Sequence, residues 1–141
     1  MSAQGPLAQL LQGVRADLGD YARLHELLEA QFEAALRHQS ARLGELAEQI
    51  SGLAATLELR RQQRVVLAAE LLGAGTRPNV AAIEPLLPPQ SGATLREWWS
   101  SLEQSVRDCK ALNARNCRLM MDQHEIMQRV LHPEADLYAP A

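Results

Sequence analysis

Apolar residues return at helical spacing in three long stretches of the chain. In the first, Leu7, Val14, Tyr21, Leu28 and Ala35 recur every seven residues, and Leu10, Leu11, Leu18, Leu24 and Phe32 fill the neighbouring positions. Arg15, Asp17, Arg23, Glu26 and Glu33 fall on the other face, so the pattern predicts an amphipathic helix over residues 7–37. Leu43, Leu46, Ile50, Leu53 and Leu57 continue the pattern, and Leu67, Leu71 and Leu72 resume it, which predicts a second helix over 41–72. Between these two groups lies Arg60-Arg61-Gln62-Gln63-Arg64. Either the helix turns there, or the arginine stems cover apolar surface while their heads reach water. The third stretch, over 95–131, carries Leu95, Trp98, Leu102, Val106, Cys109, Leu112, Asn116, Leu119, Ile126 and Val130 on its main stripe, with Trp99, Met120, Met127 and Leu131 at one edge.

The punctuation between the stretches sets the topology. His38-Gln39-Ser40 holds no Gly or Pro, but one helix of more than sixty residues is rare in a small domain. A hairpin is therefore expected, with Ser40 capping the second helix. Gly and Pro then crowd residues 73–92; Gly73 suits a helix stop, and Asn79 can cap a short helix over 79–87. Thr94-Leu95-Arg96-Glu97 matches a capping box and is expected to open the last helix, which Pro133 ends. The expected fold is all-α: one domain over 1–141, an elongated antiparallel bundle of three long helices plus a short connector helix, with a flexible tail at 133–141. At 1.5 Å per residue the last helix is roughly 55 Å long and the first two roughly 46 Å. Its final two turns should outrun the bundle.

Composition supports helix: 47% of the 141 residues are apolar, only 4% are aromatic, and Leu and Ala dominate. Fourteen basic against seventeen acidic residues leave a net charge of −3, which argues against a nucleic-acid partner. No secretion signal or lipidation motif is read at the N-terminus, and no 18-residue apolar run suggests membrane insertion. Cys109 and Cys117 stand eight apart on one helix, roughly 12 Å, too far for a disulfide, and a reducing cytoplasm is the expected setting. His25, His38, His124 and His132 form no metal-helix pairing, and no phosphate loop or nucleophile elbow occurs. No cofactor, metal or enzyme activity is expected. Cys117 between Arg115 and Arg118 could be activated, but a half-buried structural thiol fits better.

Three features suggest a protein partner. Of Trp98 and Trp99, one ring should enter the core and the other cover the proline-rich connector. Asn113 and Asn116 lie on the face of Leu112, Leu119 and Met120, where they either hydrogen-bond across the bundle or meet a partner. Met120, Met121 and Met127, with Ile126, Val130 and Leu131, form an adaptable apolar surface where the helix should outrun its neighbours.

The segment Leu112-Asn113-Ala114-Arg115-Asn116-Cys117-Arg118-Leu119 resembles the Leu-Asn-x-x-Asn-x-x-Leu segment of the FlgN family of flagellar export chaperones. Tyr138-Ala139-Pro140-Ala141 is similar to that family's tyrosine-containing ending, and the order of hairpin, Pro-rich connector and long last helix agrees. Cys117 stands where the family often has glycine. The resemblance implies a cytoplasmic, non-enzymatic chaperone for the hook-associated proteins of the hook–filament junction. It implies client binding by the last helix, here Asn113, Asn116, Leu119, Met120, Ile126, Met127, Val130 and Leu131. It also implies that Tyr138 engages the cytosolic domain of the export gate. The chain is expected as a monomer or weak dimer. The alternative is a coiled-coil adaptor or self-associating helical bundle that uses the same face on itself.

Overall fold

The computed structural model describes residues 4–73 and 79–132; Tyr138 and the expected tail lie outside them. The described residues form α1 (Gln4–Leu36), α2 (Ser40–Leu72), the single turn α3 (Val80–Ile83), a 3-10 turn (Glu84–Leu86) and α4 (Pro89–Leu131), with no strand. The chain runs up, down and up again, so α2 is antiparallel to α1 and α4 is parallel to it.

The hairpin between α1 and α2 forms without glycine because His38 takes the left-handed conformation, at φ 53°. Histidine is among the few side chains that visit this region readily. There the His38 N–H donates to the Ala35 carbonyl and the Gln39 N–H to the Ala34 carbonyl, the paired bonds of a Schellman stop. Ser40 is not the cap: α2 is flanked by Gln39, and no side chain bonds its first turn. Gly73 closes α2 at φ 99°, donating its N–H to the Ala69 carbonyl. Asn79 caps α3 as expected, its side-chain oxygen accepting from the Ala81 N–H at 3.0 Å.

α4 begins at Pro89, five residues before the expected capping box at Thr94. Pro88 is extended, as a residue before proline must be, and Pro89 occupies the first turn, where its missing N–H costs nothing. Thr94 therefore sits inside the helix, its hydroxyl donating back to the Gln90 carbonyl. The early start lays Gly92 against the 3-10 turn, where it is buried. A Cβ at Gly92 would stand 3.1 Å from the Glu84 carbonyl oxygen. With 43 residues, α4 is roughly 65 Å long, against roughly 50 Å for the 33-residue α1 and α2.

Two apolar cores form. One joins Leu7, Leu10 and Val14 of α1, Ala68 of α2, Ile83 of α3, and Leu95 and Leu102 of α4. Both Trp98 and Trp99 pack against it, half-buried, beside Val80 and Leu87 of the connector. The other core, around Leu27, Ala34 and Leu46, is built by α1 and α2 alone. α4 passes that level without contributing to it, which matters for what holds its second half in place.

The arginine run does neither of the things expected from the sequence. α2 continues straight through it, and Arg60 and Arg64 turn inward onto Asp17, which is 1% exposed rather than on a solvated face. Arg60 also reaches Asp20 at 2.8 Å, and the Arg64 guanidinium lies 5.5 Å from the Trp99 ring centre. This node ties α1, α2 and α4 together.

Candidate partner-binding surface

Heptad spacing on α1 and α4 coincides throughout their seam. The Cys109 thiol approaches the Tyr21 carbonyl at 3.7 Å, the Asn116 amide donates to the Leu28 carbonyl at 2.7 Å, and the Gln123 amide donates to the Ala35 carbonyl at 2.9 Å. Each pair is separated by 88 residues, so the two helices run parallel in one register. Leu95 and Leu102 occupy the same heptad position earlier in α4 and are buried. The seam thus changes from leucines to polar side chains bonded to α1 backbone as it approaches the end of α1. Gln123 was not on the apolar stripe drawn from sequence. Its seven-residue spacing from Asn116 is the signal that places it.

Asn116 is 0% exposed. Its amide also donates to the Gln31 side-chain oxygen at 2.8 Å, and its own oxygen accepts from Arg115 at 3.1 Å. Arg115 lies over the Phe32 ring, 3.8 Å from its centre, and pairs with Glu29 at 2.7 Å. Of the two asparagines, Asn116 therefore lies inside the protein's own seam and presents no surface, whereas Asn113 is exposed. Burial pushes the Cys109 thiol up from its ordinary pKa, with Asp108 adding to the effect, so it stays protonated and unreactive. Cys117 is exposed rather than half-buried, and both cysteines are free.

α1 ends at Leu36, directly after the Ala35 carbonyl that receives Gln123. α4 runs on to Leu131, about two further turns or roughly 12 Å. Ile126 and Val130 continue the seam there, with no α1 left to cover them, and are 57% and 67% exposed. Met127 and Leu131 flank them and are also exposed, as are Met121 and Leu36, the last residue of α1. Leu119 and Met120, where the seam is still covered, are half-buried. Of the residues expected at a partner surface, Ile126, Met127, Val130 and Leu131 are thus brought together and exposed. Leu119 and Met120 border them, and Asn116 does not join them. Polar neighbours Glu125 and Arg129 stand on the solvent side of this end, 4.0 Å apart.

Among the described residues, no group of three or more His, Cys, Asp or Glu converges on a metal position, and no helix is long and apolar enough to cross a membrane. No curated protein and no solved structure matches the chain. The family model described as FlgN protein matches residues 1–132, which takes in both cores, the parallel seam and the whole of α4. The chain is a member of the FlgN family of flagellar export chaperones.

Proposed function

We propose that this chaperone binds the terminal amphipathic helix of hook-associated proteins on the free end of α4, keeps the client monomeric in the cytoplasm, and presents it for export. The observation that carries the reading is the continuation of the α1–α4 seam beyond Leu36. Ile126 and Val130 have the spacing of seam residues but no partner helix. A client helix there takes the place that α1 vacates, by packing of one apolar stripe into another. Covering four side chains that are each more than half exposed contributes on the order of 4–7 kcal/mol before ordering costs. Leu36, Met120 and Met121 extend the contact upstream, and Asn113 lies on the exposed border. Methionines in the patch let one surface accept related but different clients. Tyr138, outside the described residues, is the proposed contact with the cytosolic domain of the export gate.

Self-association through the same face is the rival reading. Two turns of helix offer far less than the roughly 800 Å² per partner that stable complexes bury, so the chain is proposed to be a monomer or weak dimer. The double substitution Ile126→Asp with Val130→Asp tests both readings. Binding of a purified client segment that carries its terminal amphipathic helix, measured by calorimetry, is expected to weaken at least a hundredfold. Thermal unfolding should be unchanged, because both residues lie beyond α1. Undiminished client binding would overturn the proposal. A native mass that doubles with concentration, and reverts in the double variant, would favour the rival.

A further inference from the structure

α4 repeats one arrangement on both sides of the point where α1 stops. Leu112, Arg115 and Asn116 return fourteen residues later as Ile126, Arg129 and Val130. Two heptads bring a side chain back to the same side of a parallel helix pair. The first set faces α1, and the second lies beyond its end. What α1 presents to the first set therefore describes what the second set can receive.

The α1 segment opposite Arg115 is Leu28-Glu29-Ala30-Gln31-Phe32. Leu28 is buried in the seam, where its carbonyl accepts from Asn116. Glu29, the next residue, pairs with the Arg115 guanidinium at 2.7 Å. Phe32, one turn further on, lies under the same guanidinium, 3.8 Å from its ring centre. One arginine thus grips a carboxylate with its fork and stacks its flat face on a ring, which lysine cannot do. Among the described residues Arg129 meets only Glu125, one turn back on its own helix, at 4.0 Å, with the two side chains 66% and 63% exposed. So long and exposed a pair holds neither side chain in place.

We infer that Arg129 is a specificity-determining residue of the client surface, and that it selects a client helix lying parallel to α4 with the pattern apolar, acidic, any, any, aromatic. The inference rests on the client reading above and adds the direction and chemistry of the helix that docks. The apolar residue packs on Ile126 and Val130, where valine stands in place of the polar Asn116 and leaves side-chain packing as the contact. The acidic residue meets the Arg129 fork, and the ring lies against its face. In an antiparallel helix the acid and the ring would come in the opposite order, so the pattern encodes direction as well as charge.

The probes are three fluorescein-labelled synthetic helices with one leucine stripe. The first carries Leu-Glu-Ala-Gln-Phe, the second Leu-Lys-Ala-Gln-Phe, and the third the reversed order Phe-Gln-Ala-Glu-Leu. Fluorescence anisotropy with the full chain is expected to rank the first roughly tenfold above each of the others. Its binding should vanish in the Ile126→Asp, Val130→Asp variant, which places it at the α4 end. Arg129→Glu should put the lysine peptide first. Arg118→Glu, an equal change of charge at another exposed position of α4, should leave the ranking as it was. Equal affinities, a preference for the reversed peptide, no binding of any peptide, or a ranking untouched by Arg129→Glu would each overturn the inference. The client reading is judged separately by the client segment. Client binding lost in the double aspartate variant, alongside peptides that Arg129 does not discriminate, removes only the role of Arg129; client binding kept in that variant removes both.

Discussion

A buried asparagine is costly unless its amide is fully used, and Asn116 uses both ends of its amide. Leu28 and Gln31 accept from its nitrogen while Arg115 donates to its oxygen. Leucine-rich helices can slide past each other by a heptad with little loss of apolar contact. A polar side chain that is satisfied in only one alignment removes that freedom. Asn116→Ala deletes these bonds and leaves the Gln31 and Arg115 groups to find water at the edge of the seam. The expected cost is about 1–3 kcal/mol in urea unfolding, with the α4 end loosened more than the α2 hairpin. A change below about 0.3 kcal/mol would mean that the seam does not depend on this residue. Asp17 follows the same logic with charge. Its burial is tolerable because two guanidinium groups meet it, and removing the carboxylate would leave them facing each other.

At the scale of elements, seven-residue spacing was enough to place α1, α2 and the end of α4 within three residues. The hairpin, the proline-rich connector and the free end of α4 were also legible. The start of α4 was not, because a capping-box pattern at Thr94 and Glu97 competed with Pro88-Pro89, and fixed proline geometry decided the outcome. Asp17 and the arginines were misplaced for a different reason. Their partners lie more than forty residues away, and single-helix periodicity carries no information about cross-helix charge. The glycines offer a test of how the elements fit. Gly19, Gly44 and Gly52 lie within helices with nothing within 4 Å of an added Cβ. Alanine at each should stabilise the protein by about 0.5–1 kcal/mol, since glycine is disfavoured in helix interiors. Gly92→Ala should lose that gain or reverse it, because the new methyl meets backbone at Glu84 rather than a side chain that can swing away. Equal stabilisation at all four positions in chemical denaturation would show that α4 can lift off the 3-10 turn freely.

Taken whole, the molecule is anchored at one end and open at the other. The core around Val14, Ile83 and Leu95 locks the start of α4 to α1 through apolar contacts. Past Cys109, α4 takes no part in the other core and is held to α1 by its polar ladder. Past Gln123 it has no neighbour among the described helices. Local stability should therefore fall along α4 in that order. Amide hydrogen exchange on the free protein is expected to show near-global protection around Leu102, intermediate protection around Asn116, and little from Ile126 to Leu131. Adding a client segment should slow exchange most at the last of these, because a helix laid on Ile126 and Val130 converts a lone helix end into a packed pair. The increase should be absent in the Ile126→Asp, Val130→Asp variant. Strong protection of residues 126–131 in the free protein at micromolar concentration would mean that this end is already covered, and that the seam does not wait for a client.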